Sequence, residues 1–214
     1  MTIVTDPGEG LHAIVLAAGA STRFGSAKQL ARVAGRPLLH TAVARAADVA
    51  GSAVTVVLGA RAAELSPLLT HSQASVVINR DWREGMASSI RAGVARLPGS
   101  CTAVLLMLVD QAAVTAEDLK RLASAWRRQP DYIVAARYGM TTGVPAIFPR
   151  SAFPDLASLR GDVGARVLLQ RNPDRVVRVP MASAAIDIDT PEDLLEMGSE
   201  RKKLLLLDGV TTKI

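Results

Sequence analysis

Residues 12–30, HAIVLAAGASTRFGSAKQL, decide how this chain folds. The opening HAIVLAA (12–18) is aliphatic and too short to stand as an independent helix, so it reads as a buried strand. Open parallel sheets bind ligands at the carboxyl ends of their strands, and the loop that follows is well placed to offer backbone N–H groups to phosphate. Gly19 and Gly25 let the chain curl closely around an anion. Arg23 and Lys28 bring the positive charge that a triphosphate needs. Five residues separate the two glycines, and Gln29 rather than Ser or Thr follows Lys28, so the pattern G-x-x-x-x-G-K-[ST] fails. The pattern G-x-G-x-x-G fails too. Taken alone, the loop also reads as a glycine-bearing strand-to-helix turn with solvated basic residues. As a loop cation, Lys28 is expected to contribute little to stability.

Outward from this loop, short apolar runs alternate with helical spacing. VTVVLG (54–59), SVVIN (75–79), TAVLLMLVD (102–110) and YIVAAR (132–137) read as further strands. PLLHTAVARAADVA (37–50), ARAAELSPLL (60–69), MASSIRAGVARL (86–97) and TAEDLKRLASAWRR (115–128) have Ala/Leu-rich helical spacing. Such alternation predicts an α/β fold, a doubly wound, mostly parallel sheet with helices on both faces, in one domain. Near Gly139, GMTTGVPAIFP breaks the rhythm and suggests a turn with an inserted hairpin or loop. A helix near 162–171, strands near 175–179 and 185–188, and a helix from Pro191 complete the expectation.

Composition narrows the function. A chain of 214 residues, 49% hydrophobic, buries one sizeable core. No stretch approaches the roughly 20 apolar residues that span a bilayer, and MTIVTDPGEG is not a secretory signal, so no membrane and a cytoplasmic location are expected. The single cysteine, Cys101, lies in an apolar run and is expected to be buried. Net charge is +5, but Arg201, Lys202, Lys203 and Lys213 against Asp208 place +3 of it in the last fourteen residues. With aromatics at 3%, the body lacks the basic face and stacking platforms of a nucleic-acid binder.

LAAGASTRFGSAK (16–28) resembles the L-[AT]-[AG]-G-x-S-x-R-[MF]-G-x-x-K signature of the nucleotidyltransferases that act on molybdopterin, with Phe24 where methionine is commoner. INRDWREGMASSIRAGV (78–94), LVDQ (108–111), GVPAIFP (143–149), GDVGAR (161–166) and IDIDTPEDL (186–194) resemble that family's later motifs, in the same order. The resemblance covers about residues 11–197. It implies a nucleotidyltransferase domain over 11–199, with about 11–110 holding nucleotide and about 111–199 holding the acceptor, between tails 1–10 and 200–214. It further implies nucleotide contacts from Leu16, Ala17, Ala18, Gly19, Ser21, Arg23, Gly25, Lys28, Gly85 and Ser89, and acceptor contacts from Gly143, Pro145, Asp162 and Arg166. Arg23, Lys28 and Asp110 are the implied catalytic residues.

The carboxylates carry an argument of their own. Asp110 ends an apolar run, so its side chain should emerge at the ligand edge of the sheet; Asp187 and Asp189 should share one side of another strand end. Magnesium prefers oxygen ligands and is held by one or two carboxylates together with substrate phosphates, which Asp110 and Asp189 suit. D-T-P-E-D is equally a good helix start, so Asp189 also reads as a cap. Met86 and GDVGAR offer similar capping alternatives for Gly85, Ser88 and Ser89, and for Asp162 and Arg166. His12, His40 and His71 lack metal-ligand spacing, Ser21 is not in a G-x-S-x-G elbow, and Trp82 and Trp126 read as packing residues.

In the resembling family, L-A-G-G accompanies guanylyl transfer and L-[AT]-A-G cytidylyl transfer. Ala18 holds the variable place and favours CTP over GTP, with molybdopterin or molybdenum cofactor as acceptor, Mg2+ as cofactor and a recipient molybdoenzyme as partner. LVDQAAV departs from the family, since many relatives have proline after Gln111 where Ala112 loosens the turn. Transfer to another phosphorylated small molecule, or non-catalytic carriage of the cofactor, are the alternatives; intact Arg23, Lys28 and Asp110 argue against the carrier.

Overall fold

The structure, a computed structural model, describes residues 10–196. The basic tail and the last residues of the expected domain lie outside these. The strands are β1 (Leu11–Ala17), β2 (Arg32–Val33), β3 (Arg36–Pro37), β4 (Val54–Leu58), β5 (Ser75–Ile78), β6 (Ala103–Leu108), β7 (Ile133–Tyr138), β8 (Thr141–Pro149) and β9 (Val176–Pro180). The helices are α1 (Leu38–Ala50), α2 (Ala62–Leu65), α3 (Met86–Val94), α4 (Ala116–Arg128), α5 (Phe153–Ser158) and α6 (Arg166–Arg171). Residues 191–196 are also helical.

Seven strands form one sheet in the order β5-β4-β1-β6-β8-β7-β9, while β2 and β3 make a separate small ribbon. Among the described strands of that seven-stranded sheet, only β8 runs antiparallel to its neighbours, β6 and β7. The hairpin β7–β8 turns at Gly139, φ 57°, the inserted element that the break in rhythm suggests.

Alternate residues of one strand serve two cores. Ala13, Val15 and Ala17 face α1 and α4; Ile14 and Leu16 face α3, α5 and α6. Burying each larger aliphatic side chain contributes about 1.5–3 kcal/mol, which is why β1, β4 and β6 are near-continuous apolar runs at the centre of the sheet. Helix α4 buries Leu119, Leu122, Ala123 and Trp126 at helical spacing, and a capping box between Thr115 and Asp118 starts it. Trp126 and Cys101 are buried, and burial pushes the Cys101 thiol up.

The expected strand at 185–188 does not form. Ala182–Ala185 is a 3-10 turn and the segment after it is irregular. The backbone N–H of Ile188 donates instead to the Asp110 carbonyl at 3.1 Å, so the chain crosses the ends of the strands rather than joining the edge. The helix expected over 162–171 begins only at Arg166, and that over 60–69 is a four-residue helix followed by a 3-10 turn containing Pro67.

Strand β1 is flanked by β4 on one side and β6 on the other, so the crossovers leave it in opposite directions. A sheet opens a crevice at the carboxyl ends of such strands.

Candidate active site

A cavity of about 380 Å³ occupies that crevice. Its floor is Leu16 to Gly19 at the end of β1 and Leu108 to Asp110 at the end of β6; Arg23 and Lys28 come from the loop, Gly85 and Ser89 from the N-cap and first turn of α3, and Asp162 and Asp189 from the later half. Ser21, Gly25, Gly143, Pro145 and Arg166 do not line it. Ala20, Gln29, Trp82 and Met86 do, though the sequence motifs did not single them out as contacts.

At its centre, Lys28 Nζ lies 2.6 Å from Asp110 Oδ2 and 3.0 Å from Asp189 Oδ1. Arg23 reaches Asp189 Oδ2 at 3.0 Å from a largely exposed position. Burial pulls the Lys28 ammonium down, but its contacts with Asp110 and Asp189 outweigh this and hold its pKa above the usual lysine range. Crowding by protein, together with the Asp110 and Asp189 charges, pushes Asp187 up to about 6, although the residue as a whole is exposed. No strand forms over 185–188, so Asp187 and Asp189 do not sit side by side on one.

Asp189 is not the cap of the helix that follows. Thr190 Oγ1 accepts from Asp193 N at 3.3 Å, and Asp193 Oδ2 accepts from the backbone N–H groups of Asp189 and Thr190 at 2.9 and 2.8 Å. This capping box leaves the Asp189 carboxylate to Lys28 and Arg23.

Among the described residues, no group of three or more His, Cys, Asp or Glu side chains is arranged to hold a metal ion. His12 donates to or accepts from Thr55 Oγ1, His40 bonds the Leu68 carbonyl, and neither lines the cavity. The Asp110–Asp189 pair nevertheless fits a hard cation that completes its shell on phosphate. Asp110 Oδ1 is buried without a hydrogen-bond partner, an acceptor whose desolvation a cation would offset.

The loop is built on Gln29, which is fully buried. Its amide donates to Ala17 O at 3.2 Å and Gly19 O at 3.1 Å, and its carbonyl accepts from Ser21 Oγ at 3.2 Å. Ser21 and Gly25 adopt positive φ, 57° and 75°, and bend the loop without touching the cavity.

The opposite wall hangs on Asn79, whose buried amide donates to Ser88 Oγ at 2.8 Å and Ser89 Oγ at 3.0 Å. Gly85 has φ 115°, and a Cβ there would lie 2.5 Å from Asp162 Cα, so only glycine lets the 161–162 loop approach. Asp162 Oδ1 accepts from Met86 N at 3.3 Å, so it caps α3 while lining the cavity. Glu84 pairs with Arg91 at 2.6 Å and accepts from Gly161 N at 3.3 Å, tying the same two segments; hydrogen bonds from Arg91 and Gly161 hold its carboxyl down at about 2. Trp82 is a cavity wall as well as a packing residue: its Cβ sits against Gly59 beside Ala18, and Arg83 stacks over its ring at 4.5 Å.

Beyond the cavity, a Cβ at Gly143 would lie 2.5 Å from the Tyr138 hydroxyl, so this glycine makes room for a side chain. Burial and then Asp187 raise the Tyr138 phenol, while Arg166 opposes them. The Val144–Pro145 peptide is cis. Gln111, also buried, donates to Val144 O at 2.9 Å and Ala184 O at 3.3 Å. Ala112 does not loosen the turn: its N–H donates to Asp110 O at 2.8 Å, a bond that proline cannot make.

A glycine-bearing loop, a half-buried lysine and paired aspartates at the switch point of a doubly wound sheet define an α/β nucleotidyltransferase. The chain belongs to the MobA-like NTP transferase domain family, which matches residues 13–176. It is 31% identical over 195 residues, 86% of this chain and 94% of the relative, to a protein of Paenarthrobacter nicotinovorans named nicotine blue oxidoreductase. The crystal structure of Rv0371c from Mycobacterium tuberculosis superposes with a TM-score of 0.79 at 28% identity, covering 88% of this chain and 97% of that one. That protein is also known in complex with manganese. Molybdopterin-guanine dinucleotide biosynthesis protein A of Archaeoglobus fulgidus shares the fold, with a TM-score of 0.66 at 16% identity over 90% of this chain and 99% of its own. No described helix is long and apolar enough to cross a membrane.

Proposed function

We propose that this chain transfers CMP from CTP to the terminal phosphate of molybdopterin, with magnesium and release of pyrophosphate, and passes the product to a recipient molybdoenzyme. The observation that carries the reading is the lysine held between two aspartates, one with a bare buried oxygen, at the mouth of β1 and β6. In this reading residues 11–110 hold nucleotide and 111–199 hold the acceptor.

The acceptor phosphate, mostly dianionic near neutral pH because its second pKa is about 6, needs no general base. One of its oxygens forms a bond to the α-phosphorus of CTP as the bond from that phosphorus to the β-bridging oxygen breaks, and the electron pair leaves on pyrophosphate. Arg23 and Lys28 neutralise phosphate oxygens, and the loop after β1 orients the triphosphate through its N–H groups. Asp110 and Asp189 would hold the magnesium, which when bound adds charge stabilisation at the phosphates. Lys28 Nζ, which donates to one oxygen of each aspartate, would turn onto phosphate as the triphosphate binds. The Ala18 methyl, backed by Gly59 and Trp82, narrows the base slot in favour of a pyrimidine.

Pyrophosphate release, measured with each nucleotide against molybdopterin cofactor, tests the reading: release with CTP above all others is expected, and none with any nucleotide would overturn it. The full-length relative named as an oxidoreductase favours one second reading, a redox activity on this scaffold. That reading gives no pyrophosphate.

A further inference from the structure

We propose that Gln29 is the positioning residue of the phosphate loop: its buried carboxamide fixes the loop backbone relative to Lys28, so that a triphosphate meets the loop N–H groups and the ammonium together. The inference rests on the nucleotide-binding reading of this cavity. A carboxamide buried without exposure is costly unless it is bonded. A space-filling residue at this position would be apolar, whereas Gln29 spends both N–H groups and its carbonyl on the loop. Its partners, Ala17 O, Gly19 O and Ser21 Oγ, follow the backbone as it leaves β1 and turns over the cavity. Ser21 is a non-glycine residue at φ 57°, a conformation that persists only where its surroundings over-determine it, and the hydroxyl bond to Gln29 is one such support.

Gln29 is also bound to Lys28 by sequence. Both lie in the 3-10 turn Lys28–Leu30, which sends the Lys28 side chain to Asp110 and Asp189 and the Gln29 side chain beneath the loop. A shift of the loop is thus a shift relative to the ammonium. Gln29 touches no reacting atom in this scheme; it acts through the loop.

The test compares wild type with Gln29→Met, which keeps length and removes all three bonds, and Gln29→Glu, whose carboxylate has no proton to donate to Ala17 O or Gly19 O. Amide hydrogen exchange over residues 18–25, without ligand, should quicken at least tenfold in both variants while exchange in β4 and β6 stays as in wild type. CTP binding with Mg2+, read by calorimetry, should weaken at least tenfold; in turnover the KM for CTP should rise while the KM for the acceptor stays unchanged, a split that general loss of structure does not produce. Wild-type exchange and CTP affinity in folded Gln29→Met would overturn the proposal. Should neither variant fold, Ser21→Ala carries the test by removing one bond, with threefold faster loop exchange expected and unchanged exchange overturning the proposal. If wild type binds no nucleotide, the proposed function fails by itself, and the exchange measurement still decides whether Gln29 holds the loop.

Discussion

The backbone N–H of Ile188 donates to the carbonyl oxygen of Asp110 across 3.1 Å, although 78 residues separate them. This one bond sets Asp189 beside the end of β6 and lets Lys28 reach both carboxylates. The metal-binding reading depends on it, because two aspartates from distant segments hold a cation only if the backbone brings them to one place.

Asp110→Asn and Asp189→Asn each remove a full charge while keeping shape. Each should raise the Mg2+ concentration needed for half-maximal rate and lower turnover, with folding intact. Titration of Mg2+ against initial rate for both variants, with Asp187→Asn as control, checks this. A shift confined to Asp187→Asn would move the second ligand to that residue; no shift in any variant would end the metal reading.

Lys28→Ala removes a cation that interacts more strongly with the transition state than with the ground state, so turnover should fall on the order of 10²-fold while CTP binding weakens less. Its side chain is 14% exposed between two acids, so its loss should also destabilise the metal-free protein, against the expectation for a solvated loop cation. Thermal melts with and without Mn2+ read this directly: the variant should melt lower without metal and recover more than wild type on its addition. Wild-type turnover and melting would remove Lys28 from both roles.

Ala18→Gly should widen the base slot and raise the relative use of GTP. The ratio of catalytic efficiencies for CTP and GTP checks it; an unchanged ratio would mean that the base is read elsewhere.

Stability should respond to acid at Asp118. Burial raises this carboxyl, but hydrogen bonds from Thr115, Ser183 and Arg121 prevail and hold it below its usual value of 3.8. Its contribution is therefore complete above that value and is lost as pH falls through the lower folded value. Asp118→Ala should cost about 0.5–2 kcal/mol at pH 7, the range for a lost cap, and less as the pH falls below 3.8. Asp187 has the opposite sign: raised to about 6, its ionisation disfavours the folded state as pH rises from 3.8 through 6, a slope that Asp187→Asn should flatten in metal-free melts. Chemical denaturation at several pH values separates the two.

The periodicity of apolar residues determined most of the fold by itself. HAIVLAA, VTVVLG and TAVLLMLVD can bury both faces only in the middle of a sheet, and local hydrophobic pattern is enough to say so. The loop of Gly19 to Lys28 and the acids Asp110 and Asp189 were legible as residue types, Asp110 at a strand end and Asp189 just before a helix. Their meeting was not. Whether Asp189 capped a helix or faced Lys28 depended on Thr190 and Asp193 forming the cap between themselves, and the strand expected at 185–188 gave way because Ile188 found its partner at Asp110. Gln29 and Asn79 were silent for the same reason: a buried amide is recognised by the carbonyls and hydroxyls around it, and those come from segments that only the folded chain brings within 3.2 Å. Hydrophobic patterning is a local property of the chain, whereas satisfaction of a buried polar group is a property of the assembled tertiary structure.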